Sequence, residues 1–132
     1  MVYSQWVVIK ISNLCRGTIS IANAKVDYGK FHKIEDKDAE LSPEDINSIV
    51  LKPNDEANVC ACGRANIHYG TEGSFELFDG ADKVCRIYFD DPYNSSINNF
   101  QIFEKNSRYA IDVSSWSREG ALGNVSVEVL KK

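Results

Sequence analysis

No stretch of this chain is apolar for long enough to cross a bilayer as a helix. Its first hydrophobic run, residues 6–9, is a single short segment, where a spanning helix needs about 20 apolar residues. The opening Met1-Val2-Tyr3-Ser4-Gln5 has neither the basic start nor the apolar stretch of a secretory signal. The expectation is a chain made in soluble form. Basic charge is also in short supply: 15 Lys and Arg against 19 Asp and Glu leave a net charge of −4, with no long run of one sign. That excludes nucleic acid as the natural partner, because phosphate neutralisation by Lys and Arg dominates such binding. It also disfavours simple electrostatic docking on anionic lipid and leaves a neutral or zwitterionic surface open.

Catalytic signatures are missing too. The chain has no G-x-S-x-G, no H-E-x-x-H and no glycine-rich phosphate loop. Its two histidines, His32 and His68, are isolated. An enzyme is not expected, and neither is a cofactor. Cys15, Cys60, Cys62 and Cys85 are few and scattered, and the histidines offer no zinc spacing around Cys60 and Cys62. Four buried thiols are expected, since free Cys is among the most buried residue types. Asp36-Lys37-Asp38-Ala39-Glu40 looks like a fragment of a calcium loop but lacks the glycine and the distal Glu of that pattern. It reads as a solvated acidic turn.

What the chain does have is alternation with a period of two. Val7, Ile9 and Ile11 form one face of a strand. Similar alternation runs through Ile19–Ile21, Phe75–Phe78, Val84–Phe89, Phe100–Phe103, Tyr109–Val113 and Val125–Val129. Turn signals separate these runs at Asn23, Gly63, Asp79-Gly80, residues 94–99 and Glu119-Gly120. The one helix candidate is short: Ser42 as N-cap, Pro43 at the first position and an acid at the third. At 132 residues, with no repeat, linker or low-complexity segment, the prediction is one all-β domain over residues 1–132, an antiparallel β-sandwich.

Aromatic residues supply the functional hint. Tyr88-Phe89-Asp90-Asp91-Pro92-Tyr93 gathers three rings, two carboxylates and a proline that ends a strand. Trp6, Tyr28, Tyr69 and Trp116 also fall near strand ends or in loops. Rings converging at one end of a sandwich would attract a quaternary ammonium by cation–π contact, about 1–2 kcal/mol when desolvated. Asp90 and Asp91 would add charge complementarity. That combination suits a phosphocholine or phosphoethanolamine headgroup better than a lone phosphate. A carbohydrate-binding module is the alternative, with rings coplanar on one sheet face.

Several segments, in order, resemble the aegerolysin family. Gln5-Trp6-Val7 is similar to the family's opening, and Tyr28-Gly29-Lys30 and Asp36-Lys37-Asp38-Ala39-Glu40 to its W-G-K and D-K-D-A-E stretches. Gly63-Arg64, Gly70-Thr71-Glu72-Gly73-Ser74-Phe75 and Gly120-Ala121-Leu122-Gly123 follow the same order. Phe89-Asp90-Asp91-Pro92-Tyr93 sits where the family has W-D-C-P-W, so two Trp and one Cys are replaced. Tyr28 stands for a Trp, Tyr69 for an acidic residue that tunes lipid recognition in some members, and Ser96 for a Lys. The resemblance implies a β-sandwich that binds membrane lipid, of sphingolipid type and with or without sterol, without catalysis. It also implies a perforin-like partner with which it forms a lytic pore, the soluble chain associating with a target membrane. Trp6, Tyr28, Tyr69, Phe89, Asp90, Asp91, Tyr93 and Trp116 are the expected lipid-contacting residues. With both Trp residues replaced, a changed headgroup preference is expected.

Overall fold

The period-two runs pair into two sheets. The computed structural model describes residues 4–64, 69–93 and 97–132; His68 and Ser96 lie outside them. The strands are β1 (Trp6–Asn13), β2 (Ile19–Tyr28), β3 (Lys30–Lys33), β4 (Asp36–Leu41), β5 (Val50–Leu51), β6 (Glu56–Cys62), β7 (Thr71–Asp79), β8 (Asp82–Asp91), β9 (Asn99–Phe103), β10 (Tyr109–Val113) and β11 (Gly123–Lys131), with helix α1 (Pro43–Asn47) between β4 and β5. One sheet runs β10-β11-β1-β6-β3-β4 and the other β5-β2-β7-β8-β9. Pairing is antiparallel except between β1 and β11, which run parallel with Val7 opposite Gly123 and Asn13 opposite Val129. The architecture is the antiparallel-dominated sandwich that the alternation predicts.

The core lies between the sheets. Ile9, Ile11, Phe31, Val125 and Val127 face inward from one, and Ile19, Ile21, Phe75, Leu77, Ile87 and Phe89 from the other. Burying each such side chain contributes about 1.5–3 kcal/mol. Helix α1 starts as its sequence predicts. The Ser42 hydroxyl accepts from the Asp45 N–H at 3.1 Å, and the Ser42 N–H donates to the Asp45 carboxylate at 2.8 Å. Those two bonds satisfy donors that the first helical turn leaves open.

One expectation changes. Asp36–Leu41 is an edge strand, not a loop. Its alternating charges leave the outer rim of the sheet unattractive for pairing with another chain. Strand β6 carries Cys60 and Cys62 on the sheet face away from the core, register partners of His32 and Lys30, yet both thiols are buried. Burial pushes the Cys60 thiol up to about 11 and the Cys85 thiol up to about 12, so neither is a thiolate nucleophile near neutral pH.

Candidate functional site

One end of the sandwich collects the predicted aromatic residues. Strand β1 begins there with Trp6 opposite Cys62. Strand β2 finishes there with Tyr28 opposite Glu72, and β7 opens with Thr71 opposite Asp91, the last residue of β8. Gly70, just before β7, lies against the main chain of Asp91, Pro92 and Tyr93. Tyr69 is thereby fixed beside Tyr28, ring centroids 5.6 Å apart at 32°. The two residues are 67% and 48% exposed, the only tyrosines among the described residues that are so open. A groove of about 370 Å³ follows them, lined by Asp27, Tyr28, Gly29, Arg64, Tyr69 and Gly70.

The groove holds charges of both signs. Arg64 Nη1 and Nη2 each donate to a Glu40 oxygen at 2.9 Å. That fork holds the Glu40 carboxyl below its ordinary range and Arg64 above its own. Asp27 also lines the groove and lies 3.7 Å from the Lys25 ammonium. Both ion pairs are solvent-exposed and add little to stability. A larger depression of about 720 Å³ lies at the opposite end, around Cys15, Arg16, Asp79 and Lys131, with no aromatic ring among its described lining residues.

The remaining predicted residues divide. Trp6 is half-buried, with the Lys37 ammonium 4.7 Å from its ring centroid; one face of the indole already carries a cation. Tyr93 is half-buried beside Gly70. Trp116 packs on Phe100 with centroids 6.4 Å apart and carries Arg118 over its ring, so it closes the edge of the core more than it faces solvent. Asp90 points outward on its sheet, opposite Glu72; burial, then Glu72, push its carboxyl above the usual range.

Two expected contacts are corrected. Phe89 is 0% exposed and meets Phe31 edge-on at 6.4 Å, so its ring spans the space between the sheets and has no surface for a ligand. Asp91 is also 0% exposed. Its Oδ2 accepts from the Leu122 N–H at 2.7 Å, while Oδ1 is buried with no partner in hydrogen-bonding geometry among the described residues. It ties the end of β8 to the segment before β11 and is a structural group. Among the described residues lining the groove, the carboxylate is Asp27 and the cation is Arg64. Asp27 does not stand out in the sequence, and Arg64 does so only within the Gly63-Arg64 resemblance; the pairing of β2 with β7 and the position of Arg64 just after β6 bring them to one groove.

The class that the structure defines is an antiparallel-dominated β-sandwich whose one end carries paired open tyrosines in a groove that Asp27 and Arg64 also line. The aegerolysin family matches residues 4–132. Asp-hemolysin of Aspergillus fumigatus is 39% identical over 98% of this chain and 95% of its own length. Ostreolysin A6 of Pleurotus ostreatus is 38% identical over 100% of this chain and 99% of its own. A crystal structure of RahU protein in complex with a TRIS molecule superposes with a TM-score of 0.94 at 30% identity, covering 98% of this chain and 97% of that one. The chain belongs to the aegerolysin family, a family of non-enzymatic binding proteins.

Proposed function

We propose that this aegerolysin is the lipid-recognising component of a two-part cytolysin. Its Tyr28–Tyr69 end seats the zwitterionic headgroup of a sphingolipid-type membrane lipid, and the membrane-bound molecule recruits a larger perforin-like partner. The observation that carries the reading is the groove itself: two open, adjacent rings in a groove that Asp27 and Arg64 also line. The relatives named for haemolytic activity support a lipid-binding, cytolysin-related role. Trp6 and Tyr93 flank the site, and Ile97, 64% exposed two residues before β9, adds apolar surface toward the same end. The rings are tilted and gathered at an end, not coplanar on a sheet face, which favours a headgroup over a sugar platform.

Sedimentation with liposomes of sphingomyelin, ceramide phosphoethanolamine or glycerophospholipids tests the site. The Tyr28→Ala/Tyr69→Ala double variant is expected to lose about tenfold or more in binding, from about 1 kcal/mol per open ring, while its near-UV circular dichroism stays native. A double variant that folds and binds like the parent refutes the site.

No helix among the described residues is long and apolar enough to cross a membrane. On the two-part reading, the purified chain is expected not to lyse cells without its partner. Haemolysis by the single chain at low concentration would show a self-sufficient toxin instead.

A further inference from the structure

The groove is lined by one guanidinium and one carboxylate, Arg64 and Asp27. Arg64 uses two of its five N–H donors on Glu40 and keeps the rest for a ligand. Glu40 lies on β4, paired to β3 opposite His32, so the sheet holds the carboxylate that aims the guanidinium. Asp27 and Tyr28 line the same groove, and Asp27 is paired in turn with Lys25 at 3.7 Å. Glu40 neutralises Arg64 in place and Lys25 does the same for Asp27, so the groove gives a lone anion or a lone cation little net attraction. A ligand carrying both a phosphate and an ammonium can engage both groups at once.

We propose that Arg64 takes the phosphate of the lipid headgroup, that Asp27 and the Tyr28 ring take its ammonium, and that Glu40 is the positioning residue for Arg64. The assignment rests on the reading of the Tyr28–Tyr69 groove as the headgroup site. It makes Arg64 a selectivity residue: planar, doubly donating and matched to two phosphate oxygens in a way that a lysine is not. The competing role for the Arg64–Glu40 pair is a clip that fastens the edge strand β4 to the chain just after β6. A clip is broken equally by loss of either partner and shows in stability, not in ligand preference.

The test is competition for binding to sphingomyelin–cholesterol vesicles, with phosphocholine, choline chloride and inorganic phosphate as soluble competitors. The wild-type chain is expected to be displaced about tenfold better by phosphocholine than by choline, the size of one charge-assisted contact. Arg64→Gln abolishes that difference. Arg64→Lys keeps part of it. Glu40→Gln weakens it without abolishing it. Asp27→Asn brings phosphocholine down toward inorganic phosphate. Arg64→Gln with native near-UV dichroism and an undiminished phosphocholine preference overturns the assignment, as does a wild-type chain that phosphocholine never displaces. Unchanged binding by the Tyr28→Ala/Tyr69→Ala variant instead overturns the headgroup site itself, so the two failures are distinct. Equal loss of melting temperature in Arg64→Gln and Glu40→Gln, with competitor preference intact in both, identifies a clip.

Discussion

Replacing Asp91 by Asn is expected to change the pH dependence of stability more than any other single carboxylate substitution in this chain. The residue is 0% exposed, and Oδ1 has no partner in hydrogen-bonding geometry among the described residues. Burial pushes it up to about 7; the main-chain N–H groups of Leu122 and Trp6 hold it down from a still higher value, and Asp90 adds a little repulsion. The free carboxyl titrates near 3.9. Between about pH 4 and 7 the folded chain therefore binds the proton more tightly than the unfolded chain does. That contribution is fully present below pH 4, declines as pH rises toward 7 and is gone above it. A carboxyl raised from about 4 to about 7 accounts for about 4 kcal/mol at most. His32 acts in the opposite sense, because burial lowers its value, so stability rises with pH as its imidazole discharges. The raw stability curve mixes the two; the difference between Asp91→Asn and wild type isolates Asp91. In urea unfolding from pH 4 to 8, the variant is expected to gain on wild type by up to about 4 kcal/mol. The offset at pH 4 reports how well the new amide N–H groups are accommodated, whereas the slope reports the lost titration alone. A difference that stays flat across this range would show that Asp91 titrates as an ordinary carboxylate.

The same residue shows how far the sequence could be read. Seven strands follow from alternation because each buries one face, as in Val7-Ile9-Ile11 and Val125-Val127-Val129. The segment from Lys30 to Cys62 hides its strands for two physical reasons. Strand β4 is an edge whose exposed positions carry Asp36, Asp38 and Glu40, and a charged alternation imitates a polar turn. Strand β6 ends in four consecutive buried residues, Val59 to Cys62, which erases the period. At the site, Tyr28 and Tyr69 were legible as aromatic residues near strand ends. Phe89 and Asp91 misled because their neighbours in Tyr88–Tyr93 do reach the surface, while the inward phase of β8 takes Cys85, Ile87 and Phe89. Asp27 carries no local signal, and Arg64 shows only as half of the Gly63-Arg64 resemblance, with no hint of a groove. Their partnership depends on strand register, which a single sequence does not display.

Gly70→Ala is expected to cost about 3–5 kcal/mol, the other large effect in this molecule. Gly70 has φ +77°, a conformation in which a Cβ costs about 1–2 kcal/mol. A Cβ there would also stand 2.5 Å from the Asp91 carbonyl oxygen, 2.7 Å from the Tyr93 nitrogen and 2.9 Å from the Pro92 carbonyl carbon. All three are main-chain atoms at the end of β8, and they cannot turn aside as a side chain would. Relief requires the Asp91–Tyr93 corner to part from the start of β7, which moves Tyr69 away from Tyr28 and loosens the buried link from Asp91 to Leu122. Gly80→Ala is the internal control. Its φ is +62°, yet a Cβ there meets nothing within 4 Å, so it carries only the conformational part. Thermal unfolding of the two variants is expected to separate them by about 2 kcal/mol or more, with Gly80→Ala keeping full vesicle binding. Gly70→Ala, assayed well below its midpoint so that it is folded, is expected to lose vesicle binding to the extent of the Tyr28→Ala/Tyr69→Ala variant. Equal costs for the two glycines would mean that the corner yields freely, and full binding by folded Gly70→Ala would mean that the Tyr28–Tyr69 pairing does not depend on it.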